Sequence, residues 1–81
     1  MSLRQFIAVY VTPIDSREVI HHEVFEATRL SGSEYSQTLR VRQDALAQRF
    51  PRGQYKITSV GYGSMTAMRA DHPELAFPDL E

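Results

Sequence analysis

The 81-residue sequence has no cysteine, a single lysine and no long apolar run. Without cysteine, neither a disulfide nor a thiolate zinc site can reinforce the core, so packing must hold the chain together. The longest apolar run, Phe6 to Val11, is far too short to span a bilayer. The opening "MSLRQFIAVYV" has no signal-length apolar region and no small-residue cleavage pattern. A cytoplasmic location, with no membrane partner, is the expectation. Charge of one sign is also lacking: the formal net charge is −1 and the pI about 6.3. A dedicated duplex-binding domain usually carries a clear basic excess, so that class is disfavoured.

Catalytic signatures are equally sparse. There is no G-x-S-x-G elbow, and "GYGS" at 61–64 lacks the length and the lysine of a P-loop. Gly-rich backbone running into a helix start at Ser64 is at most a weak anion cradle. Asp71-His72 lies beside Pro73 with no positioned nucleophile and reads as polar surface. The sequence therefore predicts no catalytic residue, no metal and no cofactor.

What is present fits one small α+β domain over residues 1–79, with Leu80-Glu81 readable as a cloning remnant of no structural weight. At this size the core is thin, which makes self-association a live option. Residues 3–12, "LRQFIAVYVT", are β-branched and aromatic. Ile7, Val9 and Val11 point one way and Phe6, Ala8 and Tyr10 the other, so the strand should be central. Pro13 ends it, and "PIDS" is turn chemistry.

Residues 18–30 read two ways. A capping box of Asp15 and Glu18 with an apolar arc of Val19, Ile20, Val24, Ala27 and Leu30 argues for a helix and a β-α-α-β order. Val, Ile, His, Phe and Thr are poor or middling helix formers, and that composition favours a strand. The next helix is plainer: Ser31 and Glu34 make a capping box, Leu30 and Tyr35 a staple, and Tyr35, Leu39, Leu46 and Phe50 a stripe. "PRG" at 51–53 stops it. Residues 54–62 read as a third strand, with Tyr55 and Ile57 on one face and Val60 and Tyr62 on the other. Gly61 and Gly63 weaken its end or mark a bulge. Ser64 caps a short helix, and "ELAFPDLE" is an extended or frayed tail.

The predicted fold is thus a small antiparallel three-stranded sheet in β-β-α-β order. One long amphipathic helix covers one face, and a short C-terminal helix follows. No obvious element remains for the other face, which predicts an uncovered sheet surface or edge.

Four groups of side chains are candidates for function. His21 and His22 are strand neighbours and point to opposite faces, so they cannot share an ion; a pH response is the more natural role, since imidazole titrates near neutrality. Arg42, Arg49 and Arg52 have three readings: aliphatic stems over the core, complements to the helix dipole, or a grip on an acidic partner or phosphate. Tyr10, Tyr55 and Tyr62 lie in strands, where aromatics serve a protein partner, a homodimer or stacked bases. Lys56 would join the three arginines in binding single-stranded nucleic acid, although an RNP-type pattern is missing.

The hairpin ending "EVFEA", the capped helix and the return strand "YKITSVGY" together resemble a broad group. They are similar to many small α+β proteins carried by phages, plasmids and integrated elements, including some anti-CRISPR proteins. The resemblance covers residues 3–62 and rests on pattern; it implies a small inhibitor-like binding protein and transfers no site residue. The expectation is a non-enzymatic module that binds a protein or itself, with single-stranded nucleic acid as the alternative.

Overall fold

The computed structural model describes residues 4–81. Leu3, where the first strand is expected to begin, lies outside them. The elements run β1 (Phe6–Pro13), β2 (His21–Glu26), α1 (Gly32–Arg49), β3 (Tyr55–Tyr62) and α2 (Met65–Asp71). The strands form one antiparallel sheet in the order β2-β1-β3. The β-β-α-β order and the central position of the first strand are as expected.

Residues 21–26 are a strand because β1 offers them a ladder. Ile7 pairs with Phe25, Val9 with Glu23 and Val11 with His21, which sets the β-branched Ile7 beside the aromatic Phe25. The intervening loop is held by Ser16 N–H donating to Pro13 O and by Glu18 N–H donating to Ser16 Oγ. The helical alternative for this segment is therefore excluded.

Helix α1 starts on the capping box: Ser31 Oγ accepts from Glu34 N–H, and Glu34 Oε1 accepts from Ser31 N–H. That backbone hydrogen bond holds the Glu34 carboxyl below its ordinary range, with help from the Ser31 hydroxyl. Phe50 closes the other end, its N–H donating to Leu46 O before Pro51. The helix lies over Ile7, Val9, Val11 and Phe25. Leu46 is fully enclosed there, and Tyr35, Leu39, Phe50, Tyr55 and Ile57 pack around it.

The other face is covered too. Phe6 and Ala8 are 0% exposed and Tyr10 only 3%. Met65 and Met68 of α2 lie on them, and Val19, Val24, Tyr62, Leu75, Phe77 and Leu80 close the rim. This corrects the expectation of an uncovered sheet face, and the physical reason is the tail. Residues 72–81 form no helix or strand, yet Leu75, Phe77 and Leu80 press onto the sheet. Polar ties hold them there: His22 Nε2 meets Ala76 O at 2.8 Å, Arg4 donates to Leu80 O at 3.2 Å, and Met65 N–H donates to Glu81 Oε1 at 2.7 Å. Leu80 and Glu81, given no structural weight from sequence, both make contacts.

β3 runs without interruption. Its register against β1 is continuous from Tyr55 to Tyr62, so Gly61 marks no bulge. No residue of the described chain has a positive φ.

Candidate functional site

With both faces closed, the exposed features of the sheet are its edges. Ala27 N–H donates to Gln5 O, and Ile14 N–H donates to Gln54 O. Hydrogen-bonded and non-bonded pairs alternate along an antiparallel ladder. Residues 54, 56, 58, 60 and 62 therefore turn their backbone groups toward β1. Tyr55, Ile57, Ser59 and Gly61 turn theirs outward, where no strand pairs with them among the described residues; Tyr55 N–H is taken by Pro51 O at 3.0 Å. This is an eight-residue edge, and the usual guards are scarce: it has no proline and no acid, with Lys56 its one charge. Lys56, Thr58 and Val60 are exposed beside it, Val60 at 38%, and Ile14 at 49% lies off its beginning.

The opposite edge is better guarded. β2 has six residues and is rich in charge. Glu23 accepts from Arg42 at 3.3 Å, while Glu26 takes Thr28 Oγ1–H at 2.7 Å and pairs with Arg4 at 3.4 Å. The Thr28 hydrogen bond first, and Arg4 after it, lower the Glu26 carboxyl from its ordinary value. His22 is bonded to the tail and meets Phe77 edge-on, ring centroids 5.0 Å apart.

The expected site residues scatter. Tyr10 is enclosed and out of a partner's reach. Its hydroxyl lies 3.0 Å from that of Tyr62, which donates to Asp71 Oδ2 at 2.6 Å, and the His72 ring packs on Tyr10 at 4.5 Å. Burial, above all, raises both phenols; the Asp71 carboxylate, which needs the Tyr62 proton, adds to the effect on Tyr62. These tyrosines are held neutral, which suits a bolt between sheet and α2 and not a base. Asp71, exposed as its polar-surface reading has it, and half-buried His72 thus join the Tyr10–Tyr62 pair.

Tyr55 meets Phe50 edge-on at 5.3 Å beside the β3 edge. Arg42 spans Glu23 and the Phe25 ring, Arg49 lies over Phe50, and Arg52 pairs with Asp44 at 3.1 Å. Arg49 and Tyr55 thus share the Phe50 ring, while Arg42 and Arg52 are paired elsewhere. His21 contacts Glu23 at 3.3 Å on the α1 face and His22 lies on the other, as alternation requires.

Among the described residues no three metal-ligating side chains converge, and no buried side-chain polar atom lacks a partner. A depression of about 580 Å³ is an open groove among Arg4, Glu26, Thr28, Arg29 and Leu30. What sequence reasoning missed is the tail: Leu75 and Phe77 alternate with polar or small residues, a strand-like pattern that marks a one-sided extended segment. Compared with protein families, curated proteins and solved structures, the chain matches none.

Proposed function

We propose that the protein is a non-enzymatic docking module that takes a protein partner along the outer edge of β3. The single observation behind this reading is the unpaired backbone of Ile57, Ser59 and Gly61 on a long, weakly guarded strand. An extended segment laid there gains main-chain hydrogen bonds, and the side chains at its border select it. The single-stranded nucleic-acid alternative draws less support, because Arg42 and Arg52 are paired with acids and Tyr10 is enclosed. A small binding protein of a mobile element remains the biological setting that fits such a module.

Ser59→Pro tests it. The Ser59 N–H points away from β1, so proline there leaves the β1–β3 ladder whole and blocks addition of another strand. In affinity capture from extracts of the encoding organism, a partner held by the wild type should be lost from Ser59→Pro. Equal retention by a folded Ser59→Pro protein places docking elsewhere and overturns the reading.

A further inference from the structure

Resting on that docking reading, we propose that the partner at this edge is a second copy of the chain. Two β3 strands pair antiparallel about a two-fold axis at Thr58, giving one six-stranded sheet. The outward set decides which registers are open: Tyr55, Ile57, Ser59 and Gly61 must face one another across the seam. Centring on Thr58 sets Tyr55 against Gly61, Ile57 against Ser59 and Lys56 against Val60, each large side chain opposite a smaller one. Tyr55 N–H stays with Pro51 O in each copy, so about six main-chain hydrogen bonds close this seam.

Gly61 carries the argument further. Its backbone is extended, and an added Cβ would meet only Ile7 Cδ1 at 3.6 Å and Gln5 Nε2 at 3.7 Å, both ordinary contacts. Nothing within one chain requires glycine at this place, where it weakens the strand. Across the seam the missing side chain makes room for the Tyr55 ring of the other copy, the arrangement in which an aromatic covers an edge glycine.

Charge agrees. Pairing in parallel would set the two Lys56 ammonium groups side by side. Antiparallel pairing on Thr58 separates the two Lys56 positions by about 13 Å along the strand, beyond the screening length of roughly 8 Å in physiological salt. Each Lys56 stem instead covers the exposed Val60 of the other copy. A two-fold contact also closes on itself. Continued growth would need the β2 edge, which is shorter and tied to Arg4, Arg42 and the tail.

The absence of cysteine makes the seam directly testable. Thr58 faces its own copy at a non-hydrogen-bonded position, where Cα atoms approach to about 4.5 Å, within disulfide range. Under mild oxidation Thr58→Cys should form a covalent dimer roughly tenfold or more faster than Lys56→Cys, whose thiols lie too far apart. Gly61→Val should still fold and should lower the dimer fraction in sedimentation. No preference for Thr58→Cys overturns the proposal, as does a wild type that sediments as a monomer up to about 500 µM, or one that grows beyond two copies. A monomeric wild type whose captured partner is still lost in Ser59→Pro overturns self-pairing and leaves the docking edge standing. A dimer that survives in folded Ser59→Pro lies elsewhere and overturns self-pairing at this edge.

Discussion

The two faces of the sheet are closed by quite different means. On one, a single 18-residue helix brings Leu46, Leu39 and Phe50 onto Ile7, Val9 and Val11. On the other, a seven-residue helix supplies two methionines, and a tail without regular structure supplies Leu75, Phe77 and Leu80. Both leave β1 dry; its six residues from Phe6 to Val11 are all buried. They differ in what holds the cover. Helix α1 carries its own hydrogen bonds and capping box, so its shape owes little to the sheet. The tail has only short local contacts, such as Leu75 N–H to His72 O and Glu81 N–H to Asp79 Oδ1, and is tied to the sheet through bonds to other elements. A cover of that kind opens at lower free energy than a packed helix.

The comparison is broken most completely by removing residues 72–81. That deletion exposes Phe6, Ala8 and Tyr10 together, and the expected outcome is loss of the cooperative melt with strong binding of an apolar dye. A native-like melt with no dye binding would show that α2 alone suffices. A milder step is Phe77→Ala. Phe77 is half-buried, so the expected cost is about 1–2 kcal/mol, below the roughly 3–5 kcal/mol of a fully enclosed phenylalanine. Urea unfolding measures it, and hydrogen exchange should show the change concentrated on α2 and the tail, with α1 amides keeping their protection.

The smallest effect is one of pH. Tyr10 and Tyr62 have raised phenol values in the folded chain. Above about pH 10 the unfolded chain loses these protons while the folded chain keeps them, so stability present below pH 10 declines as pH rises. Tyr62→Phe should flatten that decline and cost about 1 kcal/mol at neutral pH through the lost hydroxyl contacts. An unchanged alkaline slope would remove the network from the account of the second face. Neither point substitution touches the outer side of β3, so both leave the Thr58→Cys crosslink as a separate reading of the edge.

Much of this was legible in the sequence, and the limits are physical. Ser31 and Glu34 announce the start of α1, Ser64 the start of α2, and the alternation of Phe6 to Val11 a strand greasy on both sides. Each is a relation between residues within a turn or two of one another. His21–Glu26 was ambiguous because its own pattern suits two structures. Asp71-His72 looked idle because its partners, Tyr62 and Tyr10, are distant in sequence. Arg42 and Arg52 pair with Glu23 and Asp44, contacts that the spacing of the arginines does not show.

By itself, the sequence determined that β1 is central, that α1 begins and ends where it does, and that the chain has neither disulfide nor thiolate metal to rely on. Local hydrogen bonding and side-chain period suffice for that. Only the tertiary structure decided that residues 21–26 join a ladder, that an irregular tail seals the second face, and that the open side of the sheet is the outer edge of β3. Those outcomes rest on contacts between residues far apart in the chain, and no local pattern carries them.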